Sequence, residues 1–119
     1  MSRIVNATQY EPCHHAQSPR GIAYLHLDIE DTENAKISKH FAESNAFIAG
    51  GLKAGESVLI HCKEGISRST TLAIAYLISN GGRSLADALA QVQAARPVAK
   101  PNKGFIEQLE QLEKSLGRS

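Results

Sequence analysis

What the chain lacks narrows its class before any motif is read. It has no block of like charge: 13 basic and 12 acidic residues give a formal net charge of +1 at pH 7, and they are interspersed, so no polybasic stripe for nucleic acid or a membrane surface is present. Electrostatics must act locally. It has no apolar run near the roughly 20 residues of a membrane span, and Met1-Ser2-Arg3-Ile4-Val5 lacks the apolar stretch of a secretory leader. A cytoplasmic setting is the expectation. Cysteine is scarce, two in 119 residues, which excludes a disulfide frame and reads as reduced thiols, with Cys13 unpaired or, as the alternative, an oxidative partner of Cys62. His14 and His15 are adjacent and point apart, with no third ligand at a suitable spacing, so neither a metal nor another cofactor is expected. There is no repeat or low-complexity tract. A 42% hydrophobic content with few aromatics is ordinary for a soluble globular chain, and the length gives room for one domain, 1–119.

The apolar pattern predicts a strand over 3–7 and a second over 21–29, where Leu25, Leu27 and Ile29 alternate with polar neighbours. The polar, proline-punctuated stretch 9–20 reads as a loop with a helical turn at most. Ile37, Phe41, Phe47 and Ile48 share one face of a helix over 36–49, with Gly50-Gly51 as its stop. An apolar strand over 57–61 follows. The helix opening near Ser67 is apolar almost all round, which predicts burial on most sides, and it ends at Asn80-Gly81-Gly82. Ser84 and Asp87 form a start signal for a third helix that Pro97 ends. A fourth helix begins at Asn102, with Phe105, Leu109, Leu112 and Leu116 as its apolar stripe and Glu107, Glu110 and Glu113 facing outward. The order of elements favours an α/β fold, a small, mainly parallel central sheet flanked by helices. In such sheets ligands bind beyond the carboxyl ends of the strands.

Between the strand at 57–61 and the helix after it stands His61-Cys62-Lys63-Glu64-Gly65-Ile66-Ser67-Arg68-Ser69. A cysteine and an arginine separated by five residues at a helix N-terminus make an anion-binding loop with a nucleophile at its mouth. Phosphate is the natural guest. A free cysteine is only a few per cent thiolate at neutral pH, so a phosphoryl-accepting one needs its ionised form favoured by about 3 to 5 kcal/mol. A helix dipole gives about 0.3 to 1 kcal/mol. The rest must come from the N–H groups of Lys63, Glu64, Gly65, Ile66, Ser67 and Arg68 curling round the sulfur, and from a hydroxyl such as that of Ser69. Gly65 lets that backbone turn inward. Arg68 offers a planar fork for two phosphate oxygens, and its fixed charge favours the thiolate. An alkoxide or phenoxide expelled by Cys62 needs a proton from a nearby carboxylic acid, and Asp28, Glu30, Asp31 and Glu33 compete for that role. Asp28 and Glu30 fall on the polar face of the second strand. Asp31 begins the loop beyond it, so spacing favours Asp31. The same carboxylate can then activate water against the phosphocysteine, and no metal is required.

The stretch 61–70 closely resembles the signature of dual-specificity protein phosphatases, within the cysteine-dependent protein tyrosine phosphatase superfamily. Ala73-Ile74-Ala75-Tyr76-Leu77 is similar to the family's following helix, Ala95-Arg96-Pro97 and Pro101-Asn102-Lys103-Gly104-Phe105 resemble its C-terminal segment, and Ile37, Phe41 and Phe47-Ile48 match the helix before the signature strand. The resemblance implies that Cys62 forms a phosphocysteine, that Arg68 binds phosphate, and that Ser69 helps the intermediate break down. Counting back from Phe41 by the family's spacing also places the general acid on Asp31. His61 matches a residue that supports the cysteine loop and Asn102 one that braces it. Family members usually carry a further strand and short helix ahead of the one matching 2–8, so a version of the fold trimmed at the N-terminus is expected. The implied activity is hydrolysis of phosphotyrosine, and of phosphoserine or phosphothreonine, in a phosphorylated protein or peptide. The alternatives are a phosphoinositide or RNA 5′-end phosphatase, or a phosphate-reading module that has lost turnover. Phosphoinositide phosphatases favour several loop lysines, whereas here Lys63 stands without help from Ile66 or Ser67 and reads as a rim charge.

Overall fold

A computed structural model describes residues 2–7, 23–61 and 67–117. Short apolar runs form three strands, β1 (Ser2–Asn6), β2 (Ala23–His26) and β3 (Ser57–His61), in one sheet of order β2-β1-β3. Both pairings are parallel, and Asn6 stands level with His26 on one side and His61 on the other. All three strands therefore end at one edge of the sheet. The second strand is shorter than its pattern predicts, because β1 offers no partner beyond the Asn6–His26 pair. Alternation nonetheless persists: Leu27 and Ile29 are buried, while Asp28 and Glu30 are exposed. The chain thus reaches Asp31 extended, with its apolar face on the core.

The helical pattern after Lys36 resolves into a 3₁₀ turn (Ile37–His40) that runs into α1 (Phe41–Lys53). Gly50-Gly51 does not stop this helix. The Arg3 side chain from β1 lies across the pair, its guanidinium 4.9 Å from the Phe47 ring centroid, donating to the Phe47 carbonyl at 3.0 Å and pairing with Glu56 at 3.2 Å. A Cβ on Gly51 would stand 2.8 Å from Arg3 Cδ and 2.9 Å from Val58 Cγ2. Glycine here lets helix and sheet approach closely, and the helix ends at Ala54-Gly55, where Gly55 takes φ +77°.

Helix α2 (Arg68–Ser79) is the centre of the molecule, packed against α1, β3, α3 (Leu85–Ala95) and α4 (Lys103–Ser115). Its Leu72, Ile74, Ala75 and Ile78 are fully buried, as the all-round apolar pattern predicts; each large side chain contributes roughly 1.5–3 kcal/mol by leaving water. Ser84 caps α3, its hydroxyl accepting from Asp87 N at 3.1 Å. Two side chains of α4 depart from the predicted stripe. Glu113 is half-buried, not outward, and accepts from Leu85 N at 2.6 Å, so it satisfies the first N–H of α3 from another helix. Leu116 is the C-cap and is 42% exposed, because the stripe runs out where the last turn leaves the core. Among the described residues no helix is long and apolar enough to cross a membrane.

Candidate active site

The loop at 9–20, with Cys13, His14 and His15, and the stretch Cys62, Lys63, Glu64, Gly65 and Ile66 lie outside the described residues. What is described is the frame on either side of that second stretch. His61 closes β3 at the carboxyl edge of the sheet, and Ser67 opens α2. Ser67 is buried, yet among the described residues it does not cap its own helix with its hydroxyl. Its carbonyl accepts from Thr71 N at 2.9 Å and from Thr71 Oγ1 at 2.7 Å, while its Oγ accepts from Asn102 N at 2.9 Å. The first turn of α2 also carries no acidic residue. Among the described residues, then, neither the Ser67 hydroxyl nor an acidic side chain occupies the start of α2, where a helix carries partial positive charge.

Arg68 is half-buried at the first position of α2. Its Nη1 donates to the Ile29 carbonyl at 3.0 Å, and its buried Nε has no partner among the described residues. One end of the guanidinium is thus anchored to the strand extension, and Nε, on its other edge, is a donor suited to an anion oxygen. Ser69, one residue on, is buried in the same turn.

Asn102 brings the other side of the site in. It is the N-cap of α4, its Oδ1 accepting from Phe105 N at 2.9 Å, and its Nδ2 donates to Asp31 Oδ1 at 3.1 Å. With the main-chain bond to Ser67, one residue links the start of α4, the start of α2 and the carboxylate beyond β2. The geometry also sorts the competing acids. Asp31 and Glu33 line a groove with Ser67, Pro101 and Asn102, whereas Asp28 and Glu30 line a separate groove with Lys36, Lys39 and His40. In that second groove, burial pushes the His40 imidazole below its usual value, helped by Lys39 and opposed by Glu43 and Asp28. Among the described residues no group of three or more His, Cys, Asp or Glu side chains is placed to hold a metal ion.

One residue at this site was not singled out by sequence reasoning. A Cβ on Gly104 would run into the Glu33 carbonyl, so the segment after Asp31 rests directly on the first turn of α4. The signal was present: a glycine within a helix costs about 1 kcal/mol relative to alanine, which asks for a packing reason.

Parallel strands ending at one edge, a helix N-terminus beside an arginine, and a carboxylate delivered from the neighbouring strand define an α/β protein whose candidate site lies beyond the carboxyl ends of the strands. The chain belongs to the dual-specificity phosphatase family: residues 1–115 match the model of the dual specificity phosphatase catalytic domain. It is 42% identical to dual specificity protein phosphatase 1 of Arabidopsis thaliana over 110 residues, which are 92% of this chain and 54% of that protein. The chain therefore spans about half the length of that curated relative. The crystal structure of human DUSP28 superposes with a TM-score of 0.91 at 35% identity, covering 98% of this chain and 77% of that one. A mouse putative dual specificity phosphatase crystallised with zinc tungstate gives a TM-score of 0.91 at 34% identity, covering 98% and 71% respectively. The small parallel sheet with helices packed round it is the family's architecture.

Proposed function

We propose that the chain is a single catalytic domain that hydrolyses phosphotyrosine, and with it phosphoserine and phosphothreonine, in phosphorylated proteins or peptides without a metal. The observation that carries this reading is the meeting of Arg68, Ser67 and Asp31 through Ile29 and Asn102, at 3.0, 2.9 and 3.1 Å, from three separate stretches of the sequence. The phosphoryl group of the substrate lies in the loop 62–67, two of its oxygens on the Nε/Nη2 edge of Arg68. The Cys62 thiolate attacks phosphorus; the S–P bond forms, the P–O bond to the substrate breaks, and Asp31 gives its proton to the departing oxygen. Water then attacks the phosphocysteine, passing its proton to the Asp31 carboxylate. The S–P bond breaks, the thiolate returns with the help of the Ser69 hydroxyl, and inorganic phosphate leaves. Asn102 holds Asp31 Oδ1, which leaves Oδ2 to carry the proton. His61 supports the loop from the end of β3. The mouse relative was crystallised as a complex with zinc tungstate; tungstate is a tetrahedral oxyanion like phosphate, and an oxyanion is what this loop is proposed to take.

The test is turnover of an aryl phosphate in the presence of a chelator by the parent chain, Cys62→Ser and Arg68→Lys. Turnover by the parent and its loss in both variants is the expected result. Undiminished activity without Cys62 overturns the covalent route, and phosphopeptide binding without turnover by the parent replaces the enzyme with a reader module.

A further inference from the structure

From the way α4 grips the segment 29–38, we infer that Gln108 is a positioning residue for the general acid Asp31. This rests on the phosphatase reading above and deepens it. Residues 27–36 carry no helix or strand beyond a turn closed by Ala35 N on the Thr32 carbonyl at 3.2 Å, so the place of Asp31 is set by what holds the segment from outside. Upstream, Arg68 holds the Ile29 carbonyl. At Asp31, among the described residues, there is one exposed side-chain bond from Asn102, 3.1 Å long, which by itself is too little to fix a loop. Next, the Glu33 carbonyl rests on Gly104. Downstream, Gln108 uses both ends of its amide: Oε1 accepts from Ser38 N at 2.8 Å, and Nε2 donates to the Ala35 carbonyl at 2.8 Å and to its own helix at Gly104 O, 3.2 Å.

Gln108 thus binds two main-chain groups on opposite sides of Lys36, at the point where the irregular segment turns into the 3₁₀ helix. The bond to the Gly104 carbonyl ties the amide to its own helix and fixes its direction. Gly104 and Gln108 are one turn apart, so they present a single face of α4, a bare backbone and then an amide, to the segment. The same helix is joined through Asn102 to Ser67 at the start of α2. A shift of the acid segment relative to Arg68 must therefore break the amide clamp or drag α4 with it. Proton transfer depends steeply on the distance and direction of the acid, so the clamp acts on the step that needs the acid and not on phosphate binding.

The experiment compares phenyl phosphate, a poor leaving group, with 4-nitrophenyl phosphate, which leaves without a proton, for the parent, Gln108→Met, Asp31→Asn and the double variant. Gln108→Met keeps the side-chain length and loses all three bonds. Its kcat/KM, which reports the steps through phosphocysteine formation, is expected to fall about tenfold or more on phenyl phosphate while that on 4-nitrophenyl phosphate stays within about twofold. In the Asp31→Asn background the same change is expected to add nothing. Should Gln108→Met fail to fold, Gln108→Glu keeps the acceptor for Ser38 N, loses the donor to Ala35, and is expected to show the same selective loss in weaker form. An equal loss of kcat/KM on both esters by a folded variant, or a full further loss in the Asp31→Asn background, overturns the role. A parent that hydrolyses both esters while the variants match it overturns the role of Gln108 alone; a parent that hydrolyses neither removes the reading beneath it.

Discussion

Asn102 divides its groups between capping α4 and holding Asp31, and the two jobs can be separated by substitution. Serine is as good an N-cap as asparagine but too short to reach Asp31. For Asn102→Ser, thermal stability within about 0.5 kcal/mol of the parent is expected, together with a selective fall in phenyl phosphate turnover; a large loss of stability with no kinetic selectivity would reduce Asn102 to a cap. The acid itself is tested on the same pair of esters. Asp31→Asn is expected to slow phenyl phosphate more than 4-nitrophenyl phosphate, and equal slowing would return the role to Glu30 or Asp28. At this scale the sequence could nominate what lies in one contiguous stretch, Cys62, Arg68 and Ser69, and could nominate Asp31 from the end of a strand; the structure ties Arg68 to the Ile29 carbonyl and Asn102 to Asp31. The second grip of Arg68 was not legible, because its partner is a main-chain carbonyl 39 residues away and no side-chain pattern records a carbonyl.

Among the elements, the caps of α3 and α4 were readable because Ser84 and Asn102 act on N–H groups three residues on. The end of α1 was misread because the reason for its glycines lies on β1. The two glycines are expected to respond differently to alanine. At Gly51 a Cβ meets Arg3 Cδ and Val58 Cγ2 inside 3.0 Å, while at Gly50 the nearest atom is the flexible Arg3 Nη1 at 3.1 Å. Gly51→Ala should cost roughly 1–3 kcal/mol through overpacking, whereas Gly50→Ala should be near neutral, since about 1 kcal/mol of helix propensity offsets a small shift of Arg3. Melting temperatures of the two variants decide this, and equal values would contradict the packing account. Gly104→Ala is the more severe case, because the obstacle is the Glu33 main chain. It should lower stability and phenyl phosphate turnover together.

For the molecule as a whole, His40 gives a pH dependence with a definite sign. Its folded-state pKa lies below the ordinary value of 6.5, so between the two values the unfolded chain binds more protons and stability falls as pH drops through that window. Between about pH 7 and about pH 5 the parent's melting temperature is expected to fall further than that of His40→Gln; parallel curves would show that the imidazole is not linked to folding. The fold class was legible at this scale because the order of strands and helices admits few arrangements. The end of β2 was not, since it is set by β1, a partner that the local pattern does not name, whereas β3 runs over 57–61 as its apolar run predicts.

The strand order carries one more consequence, for the timing of assembly. β1 is the first of the three strands to be made on the ribosome and the middle one in the sheet, and it must wait for residues 57–61 before its second side is paired. Among the described residues both strand pairings are therefore parallel and long-range, with no hairpin joining the three strands. A search of this kind is slow and leaves one edge of β1 unpaired meanwhile, so the growing chain is expected to depend on α1 packing against β1 early, a dependence that refolding rates of the Gly51→Ala variant would expose.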